Sequence, residues 1–203
     1  GPILEGYPPF WKGFHVVQNR SEGRSAVKEL KRKGADFIKV YHTLKPEVYR
    51  VILDEAHKQA LKVIGHLPKS INVVEAIKMG HDGFEHMHDI NKHLDTIISE
   101  NAHLKNYPEQ RRFIDIGMDK AKLENFGSIL KRSNVSICPT LIADKKMSQL
   151  ADYSRLKQGK EARYLPQYYR EVAWNPKHSN SLANVRGLPS LYFKNLGLLH
   201  ERT

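Results

Sequence analysis

Lys39, His66 and His86 each stand near the end of a short apolar segment: GADFIKVY, LKVIGHLP and GHDGFEHMH. Neutral imidazole is a common ligand for zinc and related metals. A lysine in a strand covered on both faces is costly unless it is paired, ligating or able to reach water at the rim. Three metal-capable side chains at successive strand ends are the layout of a metal site at one rim of a parallel α/β barrel. Each residue also has a plainer reading: Lys39 as a snorkelling rim lysine, His66 and His86 as hydrogen-bonded strand-end histidines. His88 adds a further arrangement, a two-histidine clip with His86 on one extended segment. His86 is preferred as the ligand, with His88 in the loop beyond, because His86 falls where the strand should end.

The elements that must position these residues follow from periodicity. Side-chain alternation in DFIKVY places Phe37, Lys39 and Tyr41 on one face and Ile38 and Val40 on the other. Strands are expected over 36–41, 62–66 and 83–86, with Gly65 allowing backbone or ligand to approach closely and Leu67-Pro68 stopping the second. Between them, helical spacing predicts a helix over 21–33 capped by Ser21, another from Pro46 to about Leu61, and a short one opened by Ser70 and ending near Gly80. This βαβαβ order with short connections argues for parallel strands covered by helices.

The flanking regions are less regular. The start through about Gly13, rich in Pro, Gly and aromatics, predicts an irregular packed loop, followed by a short extended piece at Val16 and Val17. Helices are expected near 90–104 and 118–132, a fourth strand over 135–139, and a terminal helix over 188–202. The polar, Tyr- and Lys-rich stretch 144–187 is too long for an ordinary loop and is expected to be a helical insertion or lid within a single domain spanning 1–203.

Composition narrows the function classes. The 203 residues suffice for one sizeable core but lie at the short limit of about 200–250 residues for a complete eight-stranded α/β barrel. The formal net charge of +11 would suit an anionic partner, but the positive residues are dispersed. The densest run, KELKRKG, ends an expected helix, where cations complement the dipole. No nucleic-acid partner is therefore expected. No apolar run approaches the roughly 18–20 residues that span a bilayer, and the start lacks the pattern of a signal peptide. A soluble protein of the cytoplasm or periplasm is expected, without a membrane partner. One cysteine, Cys138, rules out an internal disulfide and is expected to be a small buried hydrophobe in the run VSICP.

The run GADFIKVY, then GHLP, then Gly80 to His86 as G-x-x-G-x-E-H, resembles the central barrel strands of the amidohydrolase superfamily, in particular its imidazolonepropionase-like and Xaa-Pro dipeptidase-like branch. GPILEGYPPFW, VSICPTL and the terminal helix extend the resemblance over most of the chain. It implies a (β/α)8 TIM-type barrel hydrolase acting on amide C–N bonds of small substrates such as dipeptides. The same resemblance implies one or two divalent metal ions, zinc being the first expectation. Lys39 would match the lysine that becomes a carbamate and bridges two metals, His66 and His86 the ligands of the next two strands. Tyr41, beyond Lys39 at the rim, would contact substrate or a tetrahedral intermediate, or equally serve as an aromatic plug.

The departures from the family pattern matter as much. Nothing before Lys39 offers the family's first-strand His-x-His, and nothing after Val135 offers a strand ending in aspartate; Asp144 and Asp152 sit in the wrong context. The chain resembles a partial barrel, parallel strands with outer helices, whose first and last strands are missing. By itself it is expected to be inactive or a very poor hydrolase. The alternative is a truncated, noncatalytic barrel fragment acting as an interaction or oligomerisation module, since unpaired strand edges invite association, including association with a second copy of itself.

Overall fold

The computed structural model describes residues 2–94, 120–142, 153–173 and 175. Its centre is a sheet of six strands: β1 (Ile3–Glu5), β2 (His15–Val16), β3 (Phe37–Val40), β4 (Lys62–Gly65), β5 (Gly83–Glu85) and β6 (Ser136–Cys138). Their order is β2-β1-β3-β4-β5-β6, every pairing is parallel, and the sheet does not close on itself. That is the expected partial barrel. Helices α1 (Arg20–Arg32), α2 (Pro46–Lys58), α3 (Val73–Lys78) and α4 (His88–Leu94) follow successive strands, and α5 (Lys120–Ser133) precedes β6.

One face of the sheet is sealed and the other is open. Leu4, Ile38, Val40, Val63 and Phe84 are buried with Val27, Leu30, Val48, Ile52, Ala56 and Ala76 of the helices. Each buried Leu, Ile, Val or Phe is worth roughly 1.5–3 kcal/mol relative to exposure, so this layer is the main source of stability. α1 and α2 meet closely at Gly23, where a Cβ would stand 3.3 Å from side-chain atoms of both Val48 and Ile52. Arg24 and Lys28 of α1 reach Glu55 of α2 at 3.7 and 4.0 Å.

Several local expectations are corrected. α1 is capped by Asn19 and α3 by Asn72, in place of Ser21 and Ser70; each Asn Oδ1 accepts from the backbone N–H of a glutamate three residues on, at 2.9 Å. The first segment is not wholly irregular, because Ile3–Glu5 pairs with β2 on one side and β3 on the other. His88 opens α4 instead of lying in a loop. Cys138 is exposed, since it sits on the open face of the sheet opposite Glu85.

The chain divides into two compact units, Gly1–Leu94 with Asp119–Pro139 and Asp95–Met118 with Thr140–Thr203. The stretch expected to be a helical insertion falls in the second. Its described parts are α6 (Tyr153–Lys157), a 3₁₀ turn over Lys160–Tyr164 and a π-helical turn over Tyr169–Ala173. Within that unit the Tyr153 hydroxyl donates to the Arg170 carbonyl at 2.6 Å, and Lys157 pairs with Glu171 at 2.8 Å. The terminal helix, Asp144, Asp152 and most of the helix expected over 90–104 lie outside the described residues. No described helix is long and apolar enough to cross a membrane.

On the sealed side, the hydroxyl of Tyr49 in α2 hydrogen-bonds His81 Nδ1 at 2.9 Å, with both residues almost wholly buried. Burial disfavours their charged forms, pushing the phenol well above its ordinary range and the imidazole from 6.5 down to about 4. A depressed folded-state value means that the unfolded chain takes up this proton first as pH falls. Stability from His81 is therefore complete above about pH 6.5 and is lost as pH falls toward 4. Denaturant unfolding between pH 7 and 4 should show a loss on the order of 3 kcal/mol from this group. An NMR titration placing the His81 ring midpoint near 6.5 would contradict this assignment.

Candidate functional site

The register of the parallel strands decides which side chains share the open face. Ile3 pairs with Lys39, Lys39 with Ile64, Ile64 with Gly83, and Glu85 with Cys138. Paired residues of neighbouring strands project to the same side, so Lys39 and Glu85 face the same space. Extending the alternation by two residues adds Glu5, Tyr41 and His66 at the carboxyl ends of their strands. Lys39 Nζ and Glu85 Oε2 form a short, half-buried ion pair across the β4 position between them.

His86 does not belong to this face by alternation, which would send it to the sealed side with Phe84. It follows β5 with a φ of 69°, in the left-handed region that non-glycine residues avoid. Its N–H still completes the ladder, donating to the Cys138 carbonyl at 2.8 Å. The turn sets the His86 ring beside that of His66, with centroids 5.0 Å apart. A strained backbone held between two ordered elements is a feature that clusters at functional sites.

Gly65 makes the neighbouring join possible. Its φ is 122°, and a Cβ there would lie 2.5 Å from the Val40 carbonyl oxygen and 3.3 Å from Lys39 Cγ. The close approach expected at this glycine is therefore made by the backbone of β3, which brings the Lys39 stem against the β4 end. His66 then continues the ladder by donating its N–H to Val40 O at 3.1 Å.

Around His66 the rings form a continuous row. Tyr41 lies 4.5 Å from it by centroids and His42 4.7 Å, while Tyr41 and His42 are 4.4 Å apart. His42 Nδ1 donates to the Leu67 carbonyl at 3.2 Å. Asp89, in the first turn of α4, accepts from the Leu67 N–H at 3.1 Å and places the same oxygen 3.8 Å from His66 Nδ1. The Asp89 carboxylate thus lies within ion-pairing reach of His66, beyond hydrogen-bond distance. Partial burial is the main cause that raises the Tyr41 phenol, opposed by a hydrogen bond with the Trp11 side chain and reinforced by the charges of Glu5 and Asp89. Tyr41 is therefore a neutral hydroxyl at neutral pH.

The structure thus brings Lys39, Tyr41, His66 and His86 to one rim, and adds Glu85, His42 and Asp89, which sequence reading did not select. Glu85 was legible in principle, since it alternates onto the lysine's face within G-x-x-G-x-E-H. Asp89 carried no comparable signal. Among the described residues no three His, Cys, Asp or Glu side chains converge as a group able to hold a metal ion. Two adjacent imidazoles are present, but Lys39 is engaged as an ammonium by Glu85, and an ammonium has no lone pair to donate. These residues alone do not make up a metal centre.

No protein-family model matches the chain, and no curated protein matches it. Solved structures do. A bottromycin amidohydrolase is 16% identical with a TM-score of 0.62, covering 98% of this chain and 40% of that one. An ochratoxinase from A. niger is 17% identical with a TM-score of 0.44, covering 98% of this chain and 36% of that one. A Xaa-Pro dipeptidase with bound methionine in its active site is 14% identical with a TM-score of 0.39, covering 93% and 50%. The chain spans half or less of the length of these structures. The first likeness shows the fold, a partial parallel α/β barrel with helices outside the strands.

Lys39 is the largest influence on Glu85, holding its carboxyl below the ordinary 4.5 by a direct hydrogen bond, with charge from Lys39, His86 and His66 acting the same way. In an NMR titration, Glu85 should take up its proton at lower pH than an exposed glutamate, and Lys39→Met should move the midpoint upward. An unmoved midpoint would show that the pair does not persist in solution.

Proposed function

We propose that this chain is part of a hydrolase that cleaves amide C–N bonds in small substrates, Xaa-Pro dipeptides among them. We further propose that Lys39, His66 and His86 are its contribution to a divalent metal centre, with zinc as the first expectation for the ion. The observation that carries this reading is the pair of imidazoles, His66 and His86, with ring centroids 5.0 Å apart at the carboxyl ends of neighbouring parallel strands, beside a strand whose Lys39 faces the same side of the sheet as Glu85. That end of the sheet is the rim at which α/β barrels place their chemistry. The fold likeness to an amidohydrolase supports it.

The roles follow from the donor chemistry. His66 and His86 offer neutral nitrogens, and Asp89 lies 3.8 Å from His66 Nδ1. Lys39 can take part only as a neutral amine converted by carbon dioxide to an anionic carbamate, so that role and the ion pair with Glu85 exclude one another. A divalent ion at this rim would polarise the substrate carbonyl and lower the pKa of a bound water. Tyr41, neutral and directed along the same rim, is suited to donate a hydrogen bond to the carbonyl oxygen of the substrate.

The complete hydrolase of which this chain is proposed to be part, purified with zinc and bicarbonate, should hydrolyse small amides or dipeptides and carry metal by elemental analysis. His66→Ala and His86→Ala should each lower kcat/KM by at least about 100-fold, since even residues behind metal ligands contribute 10–100-fold. Unchanged turnover and unchanged metal content in both variants would overturn the proposal.

A further inference from the structure

We propose that the aromatic loop between β1 and β2 forms a subsite for an apolar, preferentially aromatic, side chain of the substrate. This rests on the amide-hydrolase reading of the adjoining rim and extends it to the class of substrate.

Tyr7, Phe10 and Trp11 leave 71%, 59% and 56% of their surface exposed, all within one short loop. Aromatic residues that serve the core are buried, as Tyr49, Phe84 and Phe126 are here. Exposed apolar groups gathered in one place mark surfaces that meet a ligand or partner. Two of these rings, Phe10 and Trp11, are also joined to the site. Phe10 meets Trp11 edge to face at 5.2 Å and lies 5.7 Å from Tyr41, while Phe14 meets Tyr41 at 5.4 Å. Tyr41 in turn is 4.5 Å from His66. The wall of rings therefore begins one side chain, Tyr41, away from His66.

The loop is held in place from below. Glu5 is fully buried, and its Oε2 accepts from the Phe10 N–H at 2.7 Å. Its Oε1 is buried without a hydrogen-bond partner, a costly placement. Next to it, Gly6 lets the Thr43 carbonyl pass where a Cβ would stand 2.0 Å from the oxygen. Phe10 is thus anchored through its backbone while its ring is presented outward. Preorganised, exposed rings lose little conformational freedom when a ligand covers them. Their edge-to-face geometry suits another aromatic ring. Continuity with the imidazole row favours a substrate side chain over a protein partner, which would cover the rim and block it.

The test is isothermal titration calorimetry of the encoded protein with two probes, N-acetyl-L-phenylalaninamide and N-acetylglycinamide. The phenylalanine probe should bind about tenfold more tightly, as one added aromatic contact allows. Trp11→Ala and Tyr7→Ala, both at exposed positions that should leave the fold intact, should reduce that preference to within about twofold. Equal binding of the two probes, no binding of either, or a preference that survives both substitutions would overturn the subsite. Failed hydrolysis with the preference intact would count against the hydrolase reading and leave the subsite standing. Hydrolysis with no preference would do the reverse.

Discussion

Parallel pairing of Phe37–Val40 with Lys62–Gly65 in one register is the constraint from which the rest of the site follows. Because the side-chain period of a strand is two, a slip of one residue would turn Lys39 into the helix-covered layer and Ile38 or Val40 out of it. The apolar layer beneath the helices makes that slip prohibitive. The same register puts Ile64 between Lys39 and Gly83, so that Lys39 and Glu85 meet across one intervening strand. The site's geometry is thus inherited from the burial of Ile38, Val40, Val63 and Phe84 on the opposite face.

Two departures from regular backbone complete what register alone cannot. Gly65, with no Cβ, allows β3 and β4 to close together at their ends, and His86 leaves the strand path to turn its ring toward His66. One is a residue with conformational freedom where freedom is required. The other is a residue without it, held by the Cys138 carbonyl at its N–H and by the start of α4 just beyond.

Much of this was legible in the sequence because strand alternation and helix spacing are local. β3, β4 and β5 lie within the segments assigned from pattern, each ending a residue earlier than expected. Lys39, Tyr41 and His66 follow from parity alone. The helix starts were misplaced because a serine close by competed with an asparagine. The pattern Asn-x-x-Glu, present at 19–22 and 72–75, is a capping signature that would have decided both. The Lys39–Glu85 pair and the Asp89 contact are separated by 46 and 22 residues along the chain, and no local period reports them. Cys138 was misjudged because an apolar run says that a strand is present but not which of its faces is covered.

The hydrogen bond between Tyr49 and His81 has a consequence for how helix α2 finds its seat. An apolar interface made of Val48, Ile52 and Ala56 would tolerate a shift of one helical turn, since aliphatic contacts are indifferent to the identity of their neighbours. A displaced α2 would strand a phenol and an imidazole in a dry layer with no partner for either. One polar lock inside an otherwise greasy seam therefore selects a single docking position, trading a little adhesive strength for a unique fit.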